Sequence, residues 1–342
     1  MLNWNNLEGK IIKDHGNGEE RYFIKNSIGS GGSGRVYLAY DKLQNKDVAI
    51  KTYNPNQAMS NVNKRFQMEA KVLSKINHPN IVSFIDYFQQ DTLDMIVMEY
   101  VEGIPLSKKL ERDKIIFPNV VLKYTKKILL ALEEIHKEKV YHRDIKPENI
   151  LITVDDNLKL LDFGIVQEKQ NQNLTSQGAV IGTISYLAPE IILDSNKKAN
   201  ARTDLYSVGI VMYQLLTGYK PFKAEEGLEG ININNSLAMN IIKEKPLPPS
   251  TIDANINDDL SYFVMKLIEK DPFDRYQNTT EALKDLDKLI NNKSLNLSKE
   301  LKKNDLELEN NFYLKKLILT ILATFSLFVI LIILTLLFYF KM

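Results

Sequence analysis

Cysteine is absent from the 342 residues, which excludes disulfides, thiolate metal sites and cysteine nucleophiles, and fits a reducing compartment. An excess of one charge is missing too. The 44 Lys and Arg against 43 Asp and Glu leave a formal net charge of +1, so no global field marks nucleic acid as the partner. The opening segment, MLNWNNLEGKIIKDHGNGEE, lacks the apolar stretch of a signal peptide, and nothing in it directs the following domain out of the cytoplasm. No internal repeat breaks the chain, and its length suffices for one large domain or two moderate ones with a sizeable core.

What is present includes one long apolar run. From Leu317 to Phe340 the sequence reads LILTILATFSLFVILIILTLLFYF, without charge, Pro or Gly. As a helix those residues would extend roughly 36 Å at about 1.5 Å per residue, enough to span a bilayer, whereas a buried core helix of that length would show a polar face. A transmembrane helix over 317–340 is therefore expected. Lys315 and Lys316, with Lys299, Lys302 and Lys303 upstream, favour a cytoplasmic position for the preceding domain. Interleaved Glu300, Asp305, Glu307 and Glu309 argue against a lipid-headgroup site. Residues 291–316 read as a partly helical juxtamembrane linker. Beyond the span the sequence holds Lys341 and Met342, so the helix is expected to anchor, to concentrate the domain in two dimensions, or to support a homodimer. Thr320 with Thr324 and Ala323 with Ser326 supply the small-residue contacts for the last.

The chemistry is concentrated in two short motifs. His142 to Asn149 reads HRDIKPEN, and Asp162-Phe163-Gly164 follows after two apolar runs. Phosphoryl transfer needs little covalent work from a protein and consists mainly of positioning and charge neutralisation. Asp144 would orient an attacking hydroxyl and accept its proton, while Asn149 and Asp162 offer the hard oxygen ligands that Mg2+ prefers.

The preceding residues, Tyr22 to Tyr53, alternate short β-type runs with turns. Ile28-Gly29-Ser30-Gly31-Gly32-Ser33-Gly34-Arg35-Val36 contains GxGxxG, whose glycines let backbone N–H groups approach phosphates. A strand over Val36–Tyr40 and another at Val48-Ala49-Ile50-Lys51 follow, with no helix where a dinucleotide-binding βαβ unit requires one, and that reading falls. Ala49 and Lys51 share one strand face, and Val48 and Ile50 the other. A helix is expected over about Val62–Ile76, with Glu69 on its apolar side. A carboxylate there needs a partner, and Lys51 is the candidate. Ile96 to Val101 reads as a buried strand ending at Gly103, a hinge between two lobes.

These motifs, followed by Gly182-Thr183, Ala188-Pro189-Glu190, the DLYSVG run from Asp204 and the DPFDRY run from Asp271, resemble the protein kinase family, and within it the bacterial Ser/Thr kinases of eukaryotic type. The resemblance covers about residues 20–290. It implies an α+β, two-lobed fold: an extension over 1–20, then a kinase domain over 21–290 with a β-rich N-lobe (21–100) and a helical C-lobe (101–290). It implies ATP and Mg2+ as cofactors, with Mn2+ as an alternative metal, and Ser or Thr hydroxyls of proteins as acceptors. Ile28, Gly29, Ser30, Gly31, Gly32, Ser33 and Gly34 would cover the nucleotide phosphates. Val36 and Ala49 would line the adenine pocket, Met98 would be the gatekeeper, and Glu99 and Val101 would give hinge backbone contacts. Lys51, held by Glu69, would bind the α and β phosphates; Asp144 would be the base, Lys146 would sit near the γ phosphate, and Asn149 and Asp162 would carry the metal. His142, Arg143, Glu190, Asp204 and Arg275 would be structural: His142 beneath Asp162, Glu190 with Arg275 as a buried ion pair, and Asp204 bracing the HRD backbone.

Two rivals weigh against this. A scaffold without chemistry would lack some catalytic residue, and none is missing. A small-molecule kinase of the aminoglycoside type would share the HxDxxxxN loop but not the motifs after residue 180. Lys146 and Thr183 fit the Ser/Thr pattern. The long segment from Asp162 to Glu190 carries Thr175, Ser176, Thr183 and Ser185. A phosphate there would pair with Arg143 and order the segment, with Thr175 and Ser176 as the expected autophosphorylation sites and Thr183 as a substrate-pocket residue.

Overall fold

The alternation in the first hundred residues forms a single antiparallel sheet in the computed structural model, which describes residues 2–3, 5–14, 16, 18–31, 34–53, 67, 70–91, 93–161, 184–194 and 196–295. Six strands, β1 (Ile11–Lys13), β2 (Glu20–Gly31), β3 (Gly34–Asp41), β4 (Lys46–Tyr53), β5 (Phe84–Gln90) and β6 (Leu93–Glu99), lie in the order β1-β2-β3-β4-β6-β5. Every neighbouring pair is antiparallel, as hairpin-connected strands require.

Both faces of this sheet are covered. Val48, Ile50, Met95 and Val97 pack with Tyr22, Ile24, Tyr37 and Ala39 on one side; Ala49, Ile96 and Met98 pack with Val82 and Ala70 on the other. The twofold alternation of strand side chains thus sends Val48 and Ile50 one way and Ala49 the other, as the sequence pattern predicts. On the first face the extension takes part: Leu7 and Ile12 are fully buried in the same cluster. The helix expected before β5 is visible at its end, where Ala70, Leu73 and Ile76 are buried.

The helical lobe is built from α1 (Leu106–Asp113), α2 (Pro118–Lys137), α3 (Pro189–Leu193), α4 (Ala201–Thr217), α5 (Ile231–Lys243), α6 (Pro249–Ile252), α7 (Asp258–Leu267) and α8 (Thr279–Ile290). Helix α4 is apolar nearly all round and, except at Gln214, buried from Thr203 to Thr217, the mark of a central helix. Asn200 caps it in a reciprocal box with Thr203, and Gly218 ends it at φ 77° in the left-handed region. Gly209 allows close packing, because a Cβ there would lie 2.6 Å from Ile268 Cγ2.

A second sheet, β7 (Gly103–Pro105), β8 (Ile150–Thr153) and β9 (Leu158–Leu160), is antiparallel in that order. It changes two expectations. The strand read over Ile96 to Val101 ends at Glu99, and Gly103 is a paired strand residue rather than a free hinge. Its glycine is needed for a close approach: a Cβ would fall 2.3 Å from the Ile152 carbonyl oxygen. Between the lobes, Val82 N–H donates to Leu160 O at 3.0 Å, Leu160 N–H donates to Asn80 O at 2.8 Å, and Asn80 Nδ2 donates to Leu158 O at 2.8 Å.

The chain divides into two compact units, Met1–Lys293 and Ser294–Met342. The expected span over 317–340, the linker beyond Leu295, and Gly32, Ser33, Glu69, Asp162, Thr175, Ser176 and Thr183 lie outside the described residues. Among the described residues no helix is long and apolar enough to cross a membrane.

Candidate active site

Asp204, in the first turn of α4, is where the site's geometry begins. It is 1 % exposed, and its carboxylate accepts His142 N–H at 2.9 Å, Arg143 N–H at 2.8 Å and His136 Nε2–H at 2.8 Å. Burial works to raise its pKa, but the His136 hydrogen bond, the positive potential of His136 and His142, and the Arg143 N–H hold it below the usual carboxylate range. Two consecutive amides reach one carboxylate because Arg143 turns at φ 67°, a conformation costly for a non-glycine residue unless its surroundings enforce it.

The next residue is Asp144. Its Oδ2 accepts from Asn149 Nδ2 at 2.7 Å and lies 2.8 Å from Lys146 Nζ. Asn149 Nδ2 also donates to Asp144 O at 2.8 Å. With its amide nitrogen turned to Asp144, Asn149 keeps Oδ1 as the oxygen that could hold a cation. The residues thus fit a metal at this position as far as they are described. A 3-10 turn, Pro147–Asn149, sets this geometry and leads directly into β8.

Leu161, the residue before Asp162, is held from both sides. Its N–H donates to Asn149 O at 2.9 Å, and its carbonyl accepts His142 Nε2–H at 3.0 Å. That ties fully buried His142 to the residue preceding the DFG motif.

Above this loop, β4 carries Ala49 and buried Lys51. Val36 stands opposite Lys51 on β3, and Met98 opposite Ala49 on β6; Val36, Ala49, Met98, Val101 and Leu161 meet in one apolar cluster, the wall expected of an adenine pocket. The N–H of Glu99 donates to Ser83 O at 2.9 Å, so a hinge contact from Glu99 must come from its carbonyl. Its carboxylate accepts Ser83 N–H at 2.8 Å and pairs with Lys159 Nζ.

The glycine-rich hairpin joins β2 to β3, pairing Gly29 with Val36, Ser30 with Arg35 and Gly31 with Gly34; Ile28, at its base, is 43 % exposed. Its glycines serve different ends. A Cβ at Gly34 would sit 2.0 Å from Thr52 O, whereas one at Gly29 would meet Val36 Cβ at an ordinary 3.8 Å. Gly34→Ala is therefore expected to lower stability by about 1–3 kcal/mol through forced displacement of β4, while Gly29→Ala leaves the melting temperature unchanged. Thermal melts of the two variants check this; equal melting temperatures would contradict it.

Farther down, Glu190 and Arg275 form the predicted buried pair: Nη2 to Oε2 is 2.8 Å and Nη1 to Oε1 is 3.0 Å. Beside the catalytic loop a groove is lined by Glu148, Tyr186, Gln214 and Lys220. Tyr186 Oη donates to Gln214 Oε1 at 2.6 Å. Lys220 Nζ donates to Ser185 Oγ at 3.2 Å and lies 4.8 Å from the Tyr186 ring centroid; burial pushes its pKa down, with Glu148 opposing. Ser185 is itself buried.

Three contributors escaped the sequence reading. His136 completes Asp204; its signal was a polar ring four residues after Leu132 on the buried stripe of α2. Lys159 binds Glu99 across the lobes, a contact between distant segments without local signature. The burial of Leu7 and Ile12 was also missed.

A family model described as "Protein kinase domain" matches residues 22–286. Serine/threonine-protein kinase PrkC of Bacillus subtilis is 34 % identical over 267 residues, 78 % of this chain and 40 % of that protein. Serine/threonine-protein kinase PknB of Mycobacterium tuberculosis is 34 % identical over 279 residues, 80 % of this chain and 43 % of that protein. The chain thus spans about two-fifths of the length of these curated relatives. Among solved structures, Rad53 1-466 in complex with AMP-PNP is similar, with TM-score 0.62 and 27 % identity, covering 76 % of this chain and 63 % of that one.

Proposed function

Since the chain belongs to the protein kinase family, we propose that it is a serine/threonine kinase that transfers the ATP γ-phosphoryl group to protein hydroxyls. The observation that carries this reading is the Asp144 carboxylate held jointly by Asn149 and Lys146 on a loop fixed by Asp204. In that place Asp144 orients the acceptor hydroxyl and takes its proton as the oxygen bonds to the γ phosphorus and the bond to the β–γ bridging oxygen breaks. Lys146, beside it, balances charge on the transferring group. Lys51 holds the α and β phosphates, with Glu69 as its partner. Mg2+, carried by Asn149 and Asp162 when bound, neutralises phosphate charge, and Mn2+ has the same donor preferences.

The AMP-PNP of the Rad53 structure and the names of the two bacterial relatives support nucleotide binding and Ser/Thr acceptors here. The groove of Glu148, Tyr186 and Gln214 receives the acceptor segment, and the sequence motif makes Thr183 a substrate-pocket residue. The reading extends to regulation and place: autophosphorylation at Thr175 and Ser176 orders their segment through Arg143, and 317–340 anchors the domain on the cytoplasmic side of a bilayer. Homodimers through that helix follow from the same reading.

Incubation with radiolabelled ATP is expected to label the wild-type chain and a generic basic protein, and Lys51→Met to abolish both. Phosphosite mapping is expected to find phosphate at Thr175 and Ser176 in the wild type only. Wild-type protein that binds nucleotide yet transfers nothing would instead mark a scaffold.

A further inference from the structure

The segment before the family match is built into the sheet that carries the glycine-rich hairpin. Strand β1 pairs Ile11 with Phe23 and Ile12 with Tyr22 on β2. Gly9 N–H donates to Ile24 O at 3.0 Å, and Ile24 N–H donates to Lys10 O at 2.9 Å. Leu7 is fully buried beside Tyr37 and Ile24.

Two further contacts land at the base of the hairpin itself. Glu8 Oε1 accepts the Ser27 N–H at 2.9 Å, next to a register shift in β2, and Arg35 Nη1 donates to Asn5 O at 2.8 Å. Ser27 and Arg35 stand on opposite strands, just outside the glycines. At the far edge of the same sheet, Leu2 N–H donates to Asp91 Oδ2 at 2.8 Å and Lys13 N–H to Gln90 Oε1 at 3.0 Å. The segment therefore runs as a strap from the β5–β6 turn to both strands of the hairpin.

We propose that residues 2–13 are a positioning brace for the glycine-rich hairpin, with Glu8 its principal contact, and that this brace sets nucleotide affinity. The proposal rests on the reading that the hairpin covers ATP. A glycine-rich turn loses more conformational freedom on ordering than any other. Ordering it before the nucleotide arrives removes that cost from binding. The brace lies behind the sheet, on the face opposite Val36, Ala49 and Met98. Among the described residues its contacts include no catalytic group, so its effect is expected on nucleotide binding and not on the chemical step.

The test uses the full chain with Glu8→Ala and Glu8→Gln, the latter keeping an oxygen acceptor for Ser27 N–H. Three measurements are made: AMP-PNP affinity by calorimetry, KM for ATP against kcat, and amide exchange across residues 30–36. In Glu8→Ala, AMP-PNP affinity and ATP KM are expected to worsen by about three- to tenfold, the range of one lost hydrogen bond. kcat is expected to stay within twofold, and exchange at 30–36 to accelerate. Glu8→Gln is expected to restore all three. Unchanged affinity and exchange overturn the proposal, as does faster exchange throughout the sheet with KM unmoved, which marks a structural role alone. Failure of the kinase reading is distinguishable as a wild type that binds no AMP-PNP. The exchange measurement then decides alone: loosening confined to 30–36 upholds the brace, and none overturns it.

Discussion

Replacing Asp144 with Asn is expected to cut phosphoryl transfer by about 10²–10⁴-fold, the usual contribution of a positioned base, with ATP KM nearly unchanged. The reason lies in the local geometry. Asn preserves the shape and still accepts from Asn149 Nδ2, now 2.7 Å from Oδ2. What it loses is proton affinity and the charge that faces Lys146 Nζ at 2.8 Å. On the proposed reading the nucleotide is held mainly by the hairpin and Lys51, and would meet neither loss. Steady-state kinetics on a peptide acceptor, with circular dichroism to confirm the fold, measure this directly. A variant retaining a tenth or more of wild-type kcat would remove Asp144 from its role.

The second large effect concerns stability. Arg275 is fully buried and uses all five of its donors. Nε donates to Glu269 O at 2.7 Å, Nη1 to Glu190 and to Arg202 O at 3.1 Å, and Nη2 to Glu190 and to Lys270 O at 3.0 Å. Arg275→Met leaves the Glu190 charge uncompensated in the interior and takes one donor from each of three carbonyls. Breaking such a pair costs about 3–5 kcal/mol. At roughly 2–4 °C per kcal/mol the melting temperature should fall by about 6–20 °C. Removing the stranded charge as well, in Glu190→Leu with Arg275→Met, should recover part of the loss, as groups in one network do not act additively. Chemical denaturation of the two single variants and the double variant forms the cycle. A single variant within 1 kcal/mol of wild type would contradict the argument.

How much of this was legible beforehand depended on sequence distance. The HRDIKPEN loop could be read because Asp144, Lys146 and Asn149 are neighbours in the chain, and their contacts close within six residues. Glu190 with Arg275 lies far apart in sequence and was reached only through the family resemblance. The fold of the first lobe was legible from twofold alternation at Val48 to Lys51. Gly103 was misread because a glycine near a strand end suggests freedom, while the reason for it, the Ile152 carbonyl, lies on a strand far along the chain. Leu7 and Ile12 showed no period at all: one residue from an irregular segment and one from a three-residue strand fill a core that other strands define.

Among the described residues the lobes are joined by the linker 100–102, leading from β6 into β7, and by the contacts of Asn80, Val82 and Glu99 with β9. Two fixed points define a line. Contacts placed along that line would favour a swing of one lobe about it over sliding or twisting. In such a swing, atoms near the line, including the Leu161 peptide, would travel least, and the described ends of β2 and β3 would travel farther. On the proposed reading the HRDIKPEN loop would lie near the pivot, and the glycine-rich strands toward the end of the lever.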